Sequence, residues 1–326
     1  MCDVGARTIA ITGASGFIGR HLVAGLLREC GYVTRVLSRS RNSREATFGA
    51  GVEVFEGGLD DPHILRKFLV PGCTVINLVY LWDAGEVLNR AYTRNLLEAC
   101  KEAGVARLIH CSTAAVVGRV GNDLINETIG CLPVTEYGVT KLRIEQDIVD
   151  FARGFFEVVI LRPTAVFGVD GEPLKKLAAG LVQGNCWKNY LKSCLFGKRR
   201  MNLVHVANVV AAIIFLIRDT RHYEGEIFIV SDDDDPQNNF VDVEHFLMEA
   251  LRVKAYPLPQ FQMPLTLLRG LLWSLGRNNV NPRCDFDPGK LRRFGFKPPV
   301  TLAEGLAEYA DWYRTSHLDE KGVGYL

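Results

Sequence analysis

The sequence has few of the features that mark membrane-spanning, secreted or nucleic-acid-binding chains. Lysine and arginine (38) barely outnumber aspartate and glutamate (37) among 326 residues, which argues against a nucleic-acid partner. The longest apolar stretch, 203–217, is shorter than the ~20 residues that cross a bilayer. Residues 1–7 lack the apolar core of a secretory signal. We therefore expect a cytoplasmic globular protein with no membrane partner.

Cysteine and histidine are placed in ways that offer neither a disulfide frame nor a metal site. The nine cysteines are odd in number, form no Cys-x-x-Cys pair and lie among apolar neighbours, so buried free thiols are expected. The seven histidines show no metal-ligand spacing, and no metal is expected. The four consecutive acids at 232–235 are interpreted as a solvated loop.

The first half of the chain alternates short β-branched runs with stretches of helical period. This pattern is typical of a parallel sheet covered by helices on both faces, and it predicts a doubly wound α/β fold of the Rossmann type. Asp61-Pro62 suits a helix start, and Gly104 suits a helix end. The predicted strands are 8–12, 33–38, 52–56, 74–78, 107–112 and 157–162, and the predicted helices are 18–30, 61–69, 86–103 and 138–152.

After Arg162 the regular alternation of strand-like and helix-like segments ends, and the second half of the chain indicates a smaller, mixed substrate domain. One more core strand is expected at 226–230, and the buried run 203–217 is expected to be a helix that returns to the first sheet. Other helices are expected near 173–183, 241–251, 265–275 and 302–313. We predict a nucleotide domain formed by 1–168 and 202–231, and a substrate domain formed by 169–201 and 232–326.

A glycine-rich loop joins the first predicted strand to the first predicted helix, with Gly13, Gly16 and Gly19 at a spacing of three. The first glycine permits a tight turn, the second lets a pyrophosphate approach the backbone, and the third permits close helix–strand packing. The N–H groups of the helix start then attract the phosphates. The loop predicts a dinucleotide site, and because no Gly-Lys-Ser/Thr follows, an ATP-hydrolysing P-loop is not expected.

The residues after the second strand bear on which dinucleotide fits. An acid there binds the ribose of NAD, whereas an arginine accommodates the 2′-phosphate of NADP. The chain has Arg39, Arg41 and Arg44 and no acid in this segment. NADP(H) is favoured, and NAD stays open.

Tyr137 and Lys141 are four residues apart in a predicted helix that follows the fifth strand. They share a helical face, so the ammonium and a positive nicotinamide would favour the phenolate of a proton-transferring tyrosine. Ser112 and Thr113 end the fifth strand at the edge where ligands bind in open α/β sheets. A hydroxyl there can hydrogen-bond the substrate oxygen.

This combination resembles the extended short-chain dehydrogenase/reductase family, and within it the branch of nucleotide-sugar epimerases, dehydratases and reductases. The resemblance covers nearly the whole chain. Three further segments are similar to those of the family: LRPTAVFG from 161, LVHV from 203, and FDPGKL to GFKP between 286 and 298.

The resemblance implies roles for individual residues. Tyr137 would be the acid/base, Lys141 its partner and Thr113 the hydroxyl that orients the substrate. The cofactor would be held by Gly13, Ser15, Gly16, Phe17, Ile18, Gly19, Arg39, Leu59, Leu78, Val79, Tyr80, Tyr137, Lys141 and Pro163. The substrate would be held by Ser112, Thr113, Thr164, Ala165 and Arg200. The family often dimerises, and a homodimer through helices 86–103 and 138–152 is expected.

The chain also departs from the family pattern. Gly57-Gly58-Leu59 stands where the family usually has Gly-Asp-Leu, which weakens adenine recognition. Ala114 and Ala115 stand where the 4,6-dehydratases carry an acid pair, so that elimination lacks its acid and base. Two further changes weaken the nucleotide-sugar assignment. An asparagine that often holds the sugar nucleotide is replaced by Ala165, and a phosphate-binding arginine by Met201.

We therefore predict an NAD(P)-dependent oxidoreductase or epimerase acting on a secondary alcohol or ketone of a nucleotide-activated sugar. The arginines after the second strand favour a reductase that exchanges NADP(H). The resemblance to the nucleotide-sugar branch implies a C4 epimerase that retains NAD, and both stay open. An NADP(H)-dependent alcohol dehydrogenase or ketoreductase on a non-sugar substrate, or a non-catalytic dinucleotide sensor, are the alternatives.

Overall fold

Eleven strands occur in the parts of the chain that the computed structural model describes, which are residues 7–39, 48–275 and 280–317. They are β1 (Arg7–Thr12), β2 (Tyr32–Ser38), β3 (Val52–Glu56), β4 (Thr74–Asn77), β5 (Arg107–Cys111), β6 (Leu124–Ile125), β7 (Glu157–Pro163), β8 (Ala165–Phe167), β9 (Leu203–His205), β10 (Glu224–Val230) and β11 (Asp285–Phe286). Seven of them form the central sheet, in the order β10-β7-β5-β4-β1-β2-β3.

The strand order reverses at β1, which is the property that creates a ligand crevice in this kind of sheet. β1 pairs in parallel with β2 on one side and with β4 on the other. The chain therefore leaves β1 and β4 in opposite directions, and the loops that follow them separate at their carboxyl ends. The predicted doubly wound α/β fold is confirmed.

Helices cover both faces of this sheet. Those of the described residues are α1 (Phe17–Leu27), α2 (Pro62–Phe68), α3 (Gly85–Ala103), α4 (Glu136–Ala152), α5 (Lys175–Gln183), α6 (Cys186–Phe196), α7 (Val206–Arg218), α8 (Phe240–Ala250), α9 (Leu265–Ser274), α10 (Gly289–Arg293) and α11 (Leu302–His317). As predicted, Asp61 caps α2 by accepting from the N–H of His63 at 3.0 Å, and Gly104 ends α3 in the left-handed conformation.

Apolar side chains of the strands and helices form the core of the sheet. On one face, Leu96 of α3 and Ile144 and Ile148 of α4 pack with Val75 and Leu108 of the strands, and all five are buried. α1 packs on α7, where Gly25 lies against Val210 and Ile214. Burial of apolar surface on both faces is the main stabilising contribution in such a layered fold.

The chain divides into two compact units. The first comprises Met1–Gly118, Cys131–Pro163 and Val210–Phe228, and the second comprises Arg119–Gly130, Thr164–Val209 and Ile229–Leu326. The second unit has its own core of buried residues from α5, α8 and α11, among them Leu181, Leu247 and Tyr309. Two short parallel strand pairs, β8 with β9 and β6 with β11, belong to it. The assignment of the predicted domains to cofactor and substrate stays a prediction.

Several local expectations for this region were wrong. The run 203–217 does not begin as a helix, because its first three residues form β9 beside β8, and α7 begins only at Val206. Helix α6 was not predicted, although seven of its eleven residues, CWKNYLKSCLF, are apolar. The cysteines are not uniformly buried: Cys30 and Cys186 are exposed.

The acidic run at 232–235 is not a solvated loop, because its first two carboxylates are buried. Asp232 accepts from the backbone N–H of His205 at 2.9 Å and from the amide of Asn208. Asp233 accepts from the backbone N–H of Phe286 at 2.9 Å. These bonds join β9, α7 and β11 through one loop. Burial raises the pKa of Asp232 to about 6 and that of Asp233 to about 7.

The described residues contain neither a helix suited to span a membrane nor a group of side chains suited to hold a metal ion. No helix among them has the length and apolar character needed to cross a bilayer. Within the same part of the chain, no three histidine, cysteine or acidic side chains come together in a way that could hold a metal ion.

Candidate active site

The glycine loop leaves no space for side chains where it meets the start of α1. Gly13 has a φ of 76°, and a Cβ there would lie 3.0 Å from the carbonyl carbon of Leu78. A Cβ on Gly19 would lie 2.3 Å from the carbonyl oxygen of Gly13 and 2.6 Å from that of Ala14. Both positions therefore require glycine. The helix start packs directly on the loop, as dinucleotide loops require.

The first turn of α1 is suited to an anion. No side chain caps it, and it carries no acidic residue. Its free N–H groups and the positive end of the helix dipole are therefore available to a phosphate. Ser15 and Gly16 are exposed beside it, and Phe17 and Ile18 are partly buried. The loop thus fits the pyrophosphate of a dinucleotide.

A buried polar network joins the carboxyl ends of three strands beside this loop. Asn77 at the end of β4 accepts from the hydroxyl of Thr12 at 2.8 Å and from the backbone N–H of Val79 at 3.2 Å. Its amide lies 3.2 Å from Nδ1 of His110 on β5. Burial lowers the pKa of His110 well below its ordinary value, so the ring is neutral. The network fixes the backbone from which Leu78, Val79 and Tyr80 extend.

Tyr137 is held in the first turn of α4 by the cap of that helix. The hydroxyl of Thr135 accepts from the backbone N–H of Gly138 at 3.1 Å, as an N-cap residue does. A Cβ on Gly138 would lie 2.9 Å from the carbonyl oxygen of Ala115. The start of α4 therefore packs closely on the turn that follows β5.

The three predicted catalytic residues lie together at the end of β5. The hydroxyl of Thr113 lies close enough to the phenol of Tyr137 to act on its pKa. Nζ of Lys141, one turn further along α4, donates to the carbonyl oxygen of Cys111 at 3.0 Å. Lys141 is 3% exposed, so its ammonium is enclosed by the protein. A buried, hydrogen-bonded ammonium beside a phenol is an arrangement for proton transfer.

The electrostatics of the pair differ from the simple expectation that Lys141 favours the phenolate. Burial raises the pKa of Tyr137 to about 12, and the neighbouring Thr113 hydroxyl opposes that rise. Burial also lowers the pKa of Lys141. The phenol is therefore protonated at neutral pH, which is the form that can donate a proton.

Two aromatic side chains, Tyr80 and Trp82, surround the phenol, and only Tyr80 was predicted to belong to the site. The ring of Trp82 stacks on Tyr137 with centroids 4.8 Å apart, and that of Tyr80 meets Tyr137 edge-on at 4.9 Å. Asn89 of α3 holds their loop by bonding both the N–H and the carbonyl of Leu81. The signal for Trp82 was its position just after β4, at the ligand-binding edge of the sheet.

Other predicted residues of the first unit lie in less accessible places. Ser112 and Pro163 are buried, and the hydroxyl of Ser112 has no hydrogen-bond partner within the described part of the chain. Leu59 is 4% exposed and packs in the core, and its carbonyl accepts from Asn95 at 2.9 Å. A side-chain contact of Leu59 with a cofactor would need this packing to open.

Arg39 is exposed beyond the end of β2. Its Cγ would lie 3.7 Å from a Cβ on Gly58, which places the two residues side by side after β2 and β3. This is the position at which a ribose 2′-substituent is read in the fold. Arg41 and Arg44 lie outside the described residues.

The substrate residues predicted after Pro163 belong to the second unit. Thr164 is buried, and its N–H donates to the carbonyl of Val230 at 3.1 Å. Ala165 begins β8 opposite Leu203 of β9. Neither side chain has a contact that shows a role in binding.

Arg200, predicted to bind substrate, is bonded within the second unit. Its guanidinium donates to the carboxylate of Asp285 and to the backbone carbonyls of Asp233 and Pro236. Its side chain is 11% exposed. These donors are those that a bidentate phosphate contact would need. The structure therefore shows this arginine joining three segments of its own unit.

The fold and the glycine loop define a Rossmann-type protein built to hold a dinucleotide. Residues 9–231 match the model of the NAD dependent epimerase/dehydratase family, and the chain belongs to that family. The family description agrees with the expected cofactor, NADP or NAD, and with the resemblance drawn from the sequence.

Individual relatives have different reactions. The chain is 26% identical over 339 residues to UDP-glucose 4-epimerase of Vibrio cholerae, covering 93% of this chain and 94% of that protein. It is 27% identical over 280 residues to the human decarboxylating sterol-4-alpha-carboxylate 3-dehydrogenase, covering 79% and 70%. The structure of UDP-glucuronic acid 4-epimerase from Bacillus cereus in complex with NAD is similar, with a TM-score of 0.71 at 20% identity, covering 95% and 97%.

Proposed function

We propose that this protein transfers hydride between a nicotinamide dinucleotide and a secondary alcohol or ketone of a nucleotide-activated sugar. The observation that carries the proposal is the placement of Thr113 and the phenol of Tyr137 together at the end of β5, with the enclosed ammonium of Lys141 one turn further along α4. Hydride transfer at a carbonyl needs a proton donor or acceptor at the oxygen. Tyr137 is the group that meets this need.

Each side chain has a distinct task in this proposal. Tyr137 donates its phenolic proton to the substrate oxygen in reduction and removes that proton in oxidation. Thr113 orients the same oxygen, and Lys141 stabilises the phenolate once it forms. The dinucleotide, when bound, supplies or accepts the hydride. Its pyrophosphate would be held by the loop from Gly13 to Gly19.

The reaction is an epimerisation or a single ketone reduction rather than a dehydration. Ala114 and Ala115 form the turn after Thr113, and the N–H of Ala115 donates to the Thr113 hydroxyl at 3.1 Å. Methyl side chains cannot move the protons that a 4,6-elimination requires. The resemblance to UDP-glucose 4-epimerase supports epimerisation, and the exposed Arg39 beyond β2 supports a reductase that exchanges NADP(H).

A non-sugar substrate is the second candidate, and the bonding of Arg200 favours it. The guanidinium that would hold a diphosphate is engaged with Asp285 and two backbone carbonyls. The similarity to a sterol dehydrogenase also supports a substrate without a diphosphate. Comparing nucleotide sugars with hydroxysteroids as substrates distinguishes the two.

The choice of cofactor and the assembly state form part of the same proposal. Arg39 favours NADP(H) through its position beside Gly58.

A homodimer through α3 and α4 is supported by exposed Val87 and Leu88 on α3. The dinucleotide released on denaturation of the purified protein identifies the cofactor, and sedimentation identifies the assembly state. Residence in the cytoplasm stays a prediction.

The decisive experiment compares Tyr137→Phe with Tyr32→Phe. Both changes remove one phenolic hydroxyl, but Tyr32 bonds Arg218 at the protein surface, with an oxygen-to-nitrogen distance of 3.2 Å. We expect Tyr137→Phe to lower turnover of a nucleotide sugar by about 10²- to 10⁴-fold while dinucleotide affinity is kept. The control should retain turnover. Wild-type turnover in Tyr137→Phe would refute the acid/base role, and binding without turnover in every form would indicate a sensor.

A further inference from the structure

Exposed apolar side chains are concentrated in one part of the second unit. Eight of the sixteen large apolar side chains that are exposed in the described residues lie in α6 or in the segment 258–275, which includes α9. We call these eight the apolar patch, and they are Trp187, Leu191, Leu258, Phe261, Leu267, Leu271, Trp273 and Leu275. Contiguous exposed apolar surface of this kind marks an interaction site.

The two segments that carry the apolar patch are packed on each other. Leu195 and Phe196 of α6 contact the cluster formed by the buried Leu268 and Leu272 of α9. Backbone bonding adds to this contact, since the N–H of Met263 donates to the carbonyl of Cys194 at 2.8 Å. The apolar patch is therefore carried by a single folded piece rather than by independent loops.

Helix α9 shows most clearly that this exposed surface is apolar. Leu268 and Leu272 form its buried face. Leu267 and Leu271, four residues apart, lie on another face with Leu275 at the same spacing beyond the helix end, and they are 64%, 38% and 62% exposed. Trp273 is 67% exposed. Arg269 is the one charged residue in α9.

The charge of the same segments is entirely positive. Together with their flanking residues, as 184–199 and 252–275, the two segments contain seven lysines and arginines and no acid, although the whole chain is nearly balanced. Three of the seven, Lys188, Lys192 and Arg269, lie within α6 and 258–275 themselves. On α6, the exposed Lys188 and Lys192 each follow a member of the apolar patch, Trp187 and Leu191. Lys198 is paired with Asp242 at 2.7 Å, so its charge is partly neutralised.

We propose that the apolar patch docks on the surface of an anionic lipid bilayer. Apolar side chains with tryptophan enter the interface, and flanking cations attract the anionic headgroups, as in interfacial helices of peripheral proteins. A protein can bind the surface of a bilayer without a helix that spans it. The expectation of no membrane partner rested on the lack of a spanning segment, so it does not exclude this contact.

A second copy of the chain is a poorer occupant of this surface. In a two-fold dimer the same patch faces itself. Lys188, Lys192 and Arg269 of one copy would then meet the same cations of the other, with no acid from the two segments to pair them. An anionic surface meets the same charges favourably. The proposal does not depend on the reaction that the protein catalyses.

The test is flotation of the full-length protein with phosphatidylglycerol-containing vesicles and with phosphatidylcholine vesicles. The wild type should float with the anionic vesicles, and salt should weaken this binding. The double variant Leu267→Glu/Trp273→Glu should lose at least about tenfold in vesicle partitioning. Phe155→Glu is the matched control, because Phe155 is a 51% exposed apolar residue of the first unit. It should float like the wild type.

A second pair of variants separates the two contributions. Lys188→Gln/Lys192→Gln should weaken binding to anionic vesicles, while a blue shift of Trp273 emission should accompany binding and be lost in Trp273→Phe. Because the substituted side chains are exposed, the variants should unfold at the wild-type temperature. Equal flotation of the double variant and the wild type would overturn the proposal. Wild-type protein that does not float with anionic vesicles would also overturn it. If the double variant changed only in sedimentation and not in flotation, the apolar patch would mediate self-association, and the proposal would again be overturned.

Discussion

The contact between Gly19 and the glycine loop makes a sharp prediction about dinucleotide binding. In Gly19→Ala the new methyl carbon would start 2.3 Å from the carbonyl oxygen of Gly13 and 2.6 Å from that of Ala14. Both obstacles are backbone atoms, which cannot rotate away as a side chain can. The helix and the loop must therefore separate until the first distance reaches at least 3.0 Å, which is about the shortest that real structures show.

That separation is large on the scale of hydrogen bonds. A phosphate oxygen held at about 2.9 Å by an N–H group of the loop or helix start would lie near ~3.6 Å after a shift of this size, outside hydrogen-bond range. Losing one charge-assisted bond costs about 1.5–3 kcal/mol, and every 1.4 kcal/mol is about tenfold in affinity. Gly19→Ala should thus weaken dinucleotide binding by at least about tenfold and lower stability by about 1–3 kcal/mol through overpacking.

Calorimetric titration with NADH and NADPH, after removal of any bound dinucleotide, measures the loss of affinity. Gly25→Ala is the matched control, because it lies in the same helix and its Cβ would meet only the side chains of Val210 and Ile214, at 3.2 and 3.4 Å. The control should bind dinucleotide normally. Wild-type affinity in Gly19→Ala would refute the placement of the pyrophosphate on this loop.

Two further predictions concern stability. Arg162→Met should lower the free energy of unfolding by about 3–5 kcal/mol, because it strands the buried carboxylate of Glu145, with which Arg162 pairs at 2.6 Å. Arg153→Met, which removes the exposed pair with Asp150, should change the free energy of unfolding by less than about 1 kcal/mol. Equal losses of stability for the two variants in urea unfolding would contradict this prediction. The pKa of Asp233 is raised to about 7, so the folded protein binds the proton of this carboxyl more tightly than the unfolded protein does. The contribution of the carboxyl to stability should therefore fall as pH rises from about 4 to about 7. Asp233→Asn should show a flatter dependence on pH, and parallel curves would contradict it.

The sequence by itself determined the elements whose causes are local. The alternation of β-branched runs with helical periods predicted the central sheet, because the pattern of burial follows directly from a parallel sheet covered on both faces. Gly13, Gly16 and Gly19 predicted the dinucleotide loop, since only glycine permits those backbone contacts. Asp61-Pro62 and Gly104 predicted helix ends, because capping depends on adjacent residues.

The tertiary structure decided what depends on residues distant in sequence. The stacking of Trp82 on Tyr137 joins the loop after β4 to the first turn of α4, which only the sheet order brings together. The raised pKa of Tyr137 follows from burial, and burial is a property of the packed chain. The burial of Asp233, which the sequence had suggested to be solvated, depends on donors from β11 and neighbouring segments.

Arg200 shows the same difference between what the sequence indicates and what the tertiary structure decides. The family resemblance suggested Arg200 as a phosphate ligand near the position of Met201, but its acceptors come from three separate places in the second unit. A sequence lists donors without showing which acceptors compete for them. Long-range pairing of this kind is set by the fold, because hydrogen bonds form between groups that packing places within about 3 Å, whatever their separation along the chain.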